Sequence, residues 1–539
     1  MRSLLLTATL WREGITVLSD KSKRKKVDKS KLFVRIFCIF LALLMLLGVL
    51  YTVFTAIALG SYAYSTPQYV KIGLYYGTST TRPSQASYKI TSSSGFYCGT
   101  IDSSYTFQTN KSITDTTIVV CTSSASGNIS IKNESGTLLY DSNSKVYIKP
   151  IKTSNYLGIS NSYSYGGIFE FTRESSTLQL VNIVELEEYV TGVIPNEIGS
   201  SYPTTSIEAF AIAVRSYTLT TLGKHSSYGF DLCWTSCCQV YRGRYNVTSK
   251  IEEAVNNTTG QVMTYNNKIV QAYYSASQGG CSCSCYNVWG SSFAYLQSVA
   301  TPWENYEGTT HGTWTIEYTP SELLSQLRSK GYTTLTSNIS KVEITKFADN
   351  STYAYNVKVT DSSGNSITLP RADKIKSALG LYSSNFVCGK AGDKVSRIYY
   401  ALASSQGGEA SVNIVTSSGN KTASSSSFSV INSQEKVDGY TSSAYNVITA
   451  YGIQSFLKVN SQYSTELDRM LYETKIPVTE IITLQGTSGN FVFEGKGWGH
   501  GVGISQIGMR DLGKLGATSK QILQAYLPDI SIVQYTSVK

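Results

Sequence analysis

The chain has 539 residues and a formal net charge of +10, with 41% apolar and 15% charged side chains, a composition well away from that of disordered chains. Residues 1–35 hold ten Lys/Arg against three acids, so the other 504 residues carry only +3. No basic face remains to neutralise phosphates, which excludes a nucleic-acid-binding domain and nucleic acid as a partner.

Residues 1–31 form a basic tail with the cluster KSKRKK, and residues 32–60 contain the uncharged run Ile36 to Leu59. As a helix, those 24 residues would reach about 36 Å, enough to cross a bilayer. The basic flank places the N-terminus in the cytoplasm and the bulk of the chain outside, as a single-pass protein of the cell membrane. A cleaved signal peptide is the alternative, with Ala56-Ile57-Ala58 as a cleavage site, but its apolar core would be only about 7 to 15 residues long.

Residues 61–160 are expected to form a small β-rich extracellular unit, from the strand-like stretches YVKIGLYYG (69–77), TTIVVC (116–121) and SKVYIKPI (144–151) separated by Gly/Ser/Asn turns. GIFEFTR and LQLVNIVEL follow, and then a helix after Pro203. Thr205 and Glu208 have the spacing of a capping box, Ile207, Phe210, Ala211, Val214 and Thr218 recur at helical spacing, and Gly223 is a stop. The fold class is therefore α+β: a mixed, β-rich core with a central buried helix, preceded by the membrane helix and the small β-rich unit. Residues 389–484 include SSQGGEASVNIVTSSGNKTASSSSFSV and read as an inserted Ser/Thr/Gly-rich module.

Three segments carry candidate chemistry. In LEEYVTGVIPNEIGSSYPTTSIEAFAIAVRSYTL (186–219), Glu197 sits where two elements meet, and desolvation there would lift its pKa into the range of a general acid; a helix-capping or solvated role is the plain alternative. In KHSSYGFDLCWTSCCQVYRG (224–243), His225, Cys233, Cys237 and Cys238 are four donors suited to tetrahedral zinc. Disulfides compete with that reading. Nine cysteines lie beyond the membrane run, Cys98 and Cys121 offer one bridge, and Cys281, Cys283 and Cys285 alternate as on one face of a strand close to the second segment. In FEGKGWGHGVGISQIG (493–508), glycine at every second position would leave the backbone bare against a large ligand, with Trp498 and His500 stacking and hydrogen bonding. The run lacks GK[ST] and the G-x-G-x-x-G spacing, so it is not a nucleotide loop.

At EEYVTGVIPNEI, EAFAIAVRSYTL, DLCWTSCCQVYRG, AYYSASQGGCSCSCYNVWGSSFAYLQSVATPW and GKGWGHGVGISQIGMRDLGKLGA the sequence resembles the stage II sporulation protein D family, which includes the amidase enhancers. The similarity covers about 165–388 and 485–539, so the core is expected in two parts, 161–388 and 485–539. It implies a membrane-anchored peptidoglycan lytic transglycosylase acting on glycan strands stripped of stem peptides, with Glu197 as the catalytic acid and base and Arg215 as a functional arginine. It also implies structural zinc on His225, Cys233, Cys237 and Cys238. Candidate glycan-binding residues are Tyr274, Ser275, Gly279, Gly280, Trp289, Trp498, His500 and Gln506. The expected partners are peptidoglycan glycan strands, a peptidoglycan amidase and other membrane proteins of the wall-remodelling machinery. A non-catalytic activator of an amidase is the alternative function, and a purely structural envelope protein a third.

Overall fold

The computed structural model describes residues 69–77, 79–123, 127–159, 163–306, 309–402 and 465–538, together with the backbone of six short strands between 412 and 457. The expected membrane anchor at 32–60 and the basic tail lie outside these residues. Among the described residues no helix is long and apolar enough to cross a membrane.

The first twelve strands are β1 (Tyr69–Tyr75), β2 (Ser87–Thr91), β3 (Phe96–Ile101), β4 (Phe107–Ile113), β5 (Thr117–Thr122), β6 (Ile129–Asn133), β7 (Leu138–Ser142), β8 (Val146–Pro150), β9 (Leu157–Ile159), β10 (Tyr163–Tyr165), β11 (Ile168–Glu174) and β12 (Thr177–Glu185). Alternating apolar and polar residues mark several of them, such as β2, β5 and β8, because a period of two puts every second side chain on one face, whereas β12 is buried along nearly its whole length. One sheet runs β13-β1-β12-β11-β8-β3-β4, where β13 is Leu232–Cys233, and a second runs β10-β9-β2-β5-β6-β7. The strands on either side of residue 160 thus share both sheets. β1 pairs antiparallel with β12 and parallel with β13, which draws the cysteine segment against the first strand of the sheet.

β12 runs directly into helix α1 (Leu186–Glu197), and α2 (Thr204–Thr221) follows. α2 is buried from Ser206 to Leu219 apart from Glu208, as a helix at the centre of a core must be, with its polar Ser206, Arg215, Ser216 and Thr218 buried among apolar residues. The capping box expected at Thr205 and Glu208 does not form. The helix starts two residues earlier than that box requires, with Pro203 as N-cap, and Glu208 instead accepts a hydrogen bond from Asn257 Nδ2 at 3.1 Å. Against α2 pack α3 (Ser249–Asn257) and β14 (Gln261–Tyr265), which pairs with β15 (Lys268–Ile269). Cys98 on β3 and Cys121 on β5 lie in different sheets and are both free thiols, so the bridge suggested for them is not formed.

Next come β16 (Tyr274–Ser275) and the short helix α4 (Cys285–Trp289). A second apolar core collects β17 (Thr313–Tyr318), α5 (Pro320–Ser329), β18 (Ile339–Phe347), β19 (Ala354–Asp361), β20 (Ser366–Pro370), α6 (Ala372–Leu379) and β21 (Phe386–Lys390). β22 (Lys394–Leu402) then opens the inserted region, β23 to β28 (Val412–Thr416, Gly419–Ala423, Val430–Ile431, Val437–Asp438, Ala444–Thr449, Gly452–Leu457) pair as three hairpins, and α7 (Glu466–Tyr472) leads to β29 (Lys475–Thr483). β22 and β29 are paired antiparallel from Lys394↔Thr483 to Leu402↔Lys475. The chain closes with β30 (Phe491–Lys496) between β17 and β21, β31 (Ile504–Ser505), α8 (Gln506–Lys514), α9 (Ser519–Tyr526) and β32 (Ser531–Gln534), which joins β14. The C-terminal segment therefore returns to both cores.

Candidate active site

Glu197 is the last residue of α1, where the partial negative charge of the helix end disfavours a carboxylate. Its Oε1 accepts the Val240 N–H at 2.9 Å and its Oε2 accepts Gln506 Nε2 at 3.1 Å. Burial still raises its pKa above the ordinary carboxyl value, outweighing those hydrogen bonds. The Tyr274 hydroxyl also faces this carboxyl and the Gln239 amide, though it closes no hydrogen bond of normal geometry.

Gln506 is delivered by the start of α8, where the Ser505 hydroxyl caps the helix by accepting the Gly508 N–H at 3.1 Å. β31 pairs in parallel with β16, so Tyr274 and Ser275 lie beside Ile504 and Ser505. Just upstream, the Trp498 N–H donates to the Ser277 carbonyl at 2.9 Å and the Ser277 N–H returns to Trp498 at 3.2 Å. The alternating glycines make this zipper possible, and Gly499 also forms part of the cavity wall. A Cβ on Gly499 (φ +112°) would lie 2.7 Å from that of Ser275, and one on Gly503 (φ +75°) 2.2 Å from the Tyr273 carbonyl oxygen.

Above Glu197 opens a cavity of about 510 Å³, lined by Tyr274, Ser275, Trp289, Trp498, His500 and Gln506 among the expected residues. Its walls are aromatic. Trp498 stacks on Tyr382 with ring centres 3.9 Å apart, while His311 meets Trp498 edge-on at 4.7 Å. Trp289 packs against Tyr273 at 4.8 Å and His500 at 4.9 Å. His500 Nδ1 accepts the Val502 N–H at 3.0 Å. Burial, followed by the nearby Lys376 charge, pushes its pKa down to about 4, so the ring is neutral and serves as a wall and a hydrogen-bonding group.

Three expected residues are placed elsewhere. Arg215 is fully buried on α2 and forms a two-pronged ion pair with Glu187, Nε to Oε1 at 2.9 Å and Nη2 to Oε2 at 2.6 Å. Its Nη1 donates to the Gln261 carbonyl at 2.8 Å, so the guanidinium braces α1 against α2 and does not line the cavity. Gly279 packs against Asn385 and Lys496. Gly280 donates its N–H at 2.9 Å to Glu304, a buried carboxyl that also receives the Gln278 N–H and the Ser505 hydroxyl. Both glycines therefore shape the loop behind the cavity.

His225, Cys233, Cys237 and Cys238 converge, each offering one donor atom, and all four atoms lie within 4.8 Å of one another. His225 Nε2 is 3.3 Å from Cys238 Sγ and 3.8 Å from Cys237 Sγ. Three sulfurs and an imidazole nitrogen at this spacing fit the closed donor set of a structural zinc site. Cys281, Cys283 and Cys285 do not join them. Cys281 makes a single bridge to Ala300, Cys285 opens α4, and all three are buried free thiols, so the expected strand face near the cluster is absent.

Sequence reasoning missed Tyr217, Lys224, Ser236, Tyr273 and Ala276 of the cavity wall, and Tyr382 behind Trp498. Tyr217 lies two residues beyond Arg215 and Tyr273 directly before Tyr274, so proximity to motif residues was a usable signal there. Tyr382 is brought in from beyond α6, within the stretch RADKIKSALGLYSSNF, whose weaker resemblance to the family was the signal there.

A family model described as SpoIID, stage II sporulation protein, matches residues 174–265, a span holding Glu197 and all four members of the donor cluster. The amidase enhancer of Bacillus subtilis is 26% identical over 345 residues, covering 64% of this chain and 40% of that protein. Stage II sporulation protein D of Bacillus subtilis is 28% identical over 141 residues, covering 23% of this chain and 41% of that protein. An uncharacterized protein of Brachyspira hyodysenteriae is 32% identical over 154 residues, covering 27% of this chain and 42% of that protein. The matches thus span about two fifths of the length of each of these relatives. Residues 174–265 thus carry a domain that matches the stage II sporulation protein family model, and the chain is similar over longer stretches to stage II sporulation protein D and the amidase enhancer.

Proposed function

We propose that the cavity binds peptidoglycan glycan strands and cleaves them as a lytic transglycosylase, with Glu197 as the acid and then the base. The observation that carries this reading is a single buried carboxyl of raised pKa on the floor of an aromatic-walled cavity, with no second acid among the described lining residues. Hydrolytic glycosidases generally need two carboxyl groups. One suffices when the sugar supplies its own nucleophile. Glu197 protonates the bridging oxygen, the C1–O bond of the N-acetylmuramic unit breaks, and the leaving sugar departs as an alcohol. The Glu197 carboxylate then takes the proton from the C6 hydroxyl as that oxygen bonds to C1, which gives a 1,6-anhydro end and restores the acid. Trp289, Trp498 and His500 supply faces and donors for the sugars, and Gln506 and Val240 hold the carboxyl in place.

In this reading zinc is held by His225, Cys233, Cys237 and Cys238 and ties down the loop that ends at Val240; it supplies structure and takes part in no step. Residues 32–60 anchor the chain, and the described domains face the wall. Purified protein should release 1,6-anhydro ends from peptide-free glycan strands, read by mass spectrometry, and Glu197→Gln should lower the rate by about 10³-fold. Undiminished release from that variant would remove Glu197 from the chemistry.

The second reading is a non-catalytic activator of a peptidoglycan amidase, favoured by the relative of that name, which aligns over 64% of the chain. No product from glycan alone, with faster amidase turnover when the protein is added, would select it.

A further inference from the structure

Gln239 is fully buried between Cys238 of the donor cluster and Val240, whose N–H holds Glu197. One end of its amide faces the Tyr189 hydroxyl at 3.3 Å and the Thr218 hydroxyl at 2.9 Å. Which end this is follows from Tyr189. That phenol is buried, and Gln239 is its one side-chain hydrogen-bond partner among the described residues, so it must give its proton to an acceptor. The end facing it is therefore the amide oxygen. The amide nitrogen is left pointing the other way, buried and without a partner, towards a second buried and unpartnered group, the Tyr274 hydroxyl beside Glu197.

We propose that Gln239 is a positioning residue for Glu197 and acts through Tyr274. Its amide N–H donates to the phenol oxygen, which leaves the phenol's only proton free to point at the Glu197 carboxyl. A small inward shift on substrate binding closes both bonds, as catalytic hydrogen bonds often tighten on loading. Residues 238–240 then perform three linked tasks in sequence: Cys238 belongs to the donor cluster, Gln239 orients Tyr274, and Val240 fixes the carboxyl directly. The importance of this for catalysis rests on Glu197 being the acid proposed above, whereas the hydrogen-bond direction does not.

The test is a side-chain ¹³C titration of Glu197 in the full-length protein, assigned by its loss in Glu197→Gln. It compares the wild type, Gln239→Met, Tyr274→Phe and the double variant. The other titratable groups lining the cavity are Tyr217 of α2, Lys224 beyond its end, Cys237 and Cys238, Tyr273, and His500, and all are the same in the four proteins. Each single substitution should move the midpoint upward by about 0.5 to 1 pH unit, and the double variant should move it no further than Tyr274→Phe alone. An unmoved midpoint in Gln239→Met, or an equal effect of that substitution in the Tyr274→Phe background, overturns the proposal. If Gln239→Met fails to fold, Tyr189→Phe frees the amide to flip and should shift the midpoint in the same direction by less; no shift there overturns it too. A wild type that makes no 1,6-anhydro product defeats the transglycosylase reading and leaves the titration to decide the role of Gln239.

Discussion

Arg215 and Glu197 are adjacent in importance in the sequence and different in kind in the structure. The guanidinium is wholly buried, and its carboxylate partner is partly open to water. Arg215→Met should therefore cost about 3 kcal/mol in urea unfolding, towards the low end for breaking a buried pair because Glu187 can still hydrate. Turnover by the folded fraction should stay within a few-fold of wild type; a rate loss without destabilisation would return the arginine to the site. Glu197 gives the opposite signature. Its folded pKa is raised, so the native state binds that proton more tightly than the unfolded chain, and the resulting stability is present at low pH and lost as pH rises through the folded value. Glu197→Gln should melt roughly 1 to 3 °C higher than wild type at pH 7, and the difference should vanish below about pH 4. Glu197 is singled out in the sequence mainly by the family resemblance, and the proline turn expected before it is absent, because Pro195 lies inside α1. The partner of Arg215 lies 28 positions upstream, and only the packing of two helices brings them together.

The elements around the site were legible where periodicity was strong. The alternation in 69–75 and the helical spacing in 204–221 became β1 and α2 as expected. Terminal chemistry was less readable, since Glu208 found Asn257 on α3 in place of a capping role at the head of its own helix. The packing role of the glycine run was unreadable for a similar reason: its approach to Tyr273 and Ser275 is a contact between segments more than 200 residues apart. The loop between α2 and α3 is the element on which the donor cluster acts. It has little regular structure, yet Val240 within it must hold Glu197 to hydrogen-bonding distance. The protein should bind one zinc per chain, and Cys238→Ala should remove it, lower the melting temperature by roughly 5 °C or more, and slow turnover in parallel. Metal analysis with calorimetry decides this, and an unchanged melting temperature after metal loss would leave the loop held by packing alone.

At the scale of the molecule, the two cores are joined by a chain that crosses between them repeatedly, so composition shifts alone did not display the layout. β1 and β12, separated by more than 100 residues, are neighbours, and β30 completes a sheet begun by β17. The Ser/Thr/Gly-rich insertion was visible in composition, but its stem was not, because strands β22 and β29 lie 73 positions apart where Leu402 meets Lys475. That pairing makes the insertion removable. A two-residue Asn-Gly turn joining Leu402 to Lys475 would replace residues 403–474 and close the existing ladder as a hairpin with the twist it already requires. The cost falls on α7, whose Leu467, Met470 and Leu471 pack on the main core. Losing these partly buried contacts should lower the melting temperature by roughly 2 to 4 °C without unfolding the chain. Among the described residues the cavity draws no lining residue from the deleted segment, so release of 1,6-anhydro ends from short peptide-free strands should remain within about threefold of wild type. A shortened protein that folds but has lost turnover would make the insertion part of the active machinery, whereas one that fails to fold would make α7 integral to the core.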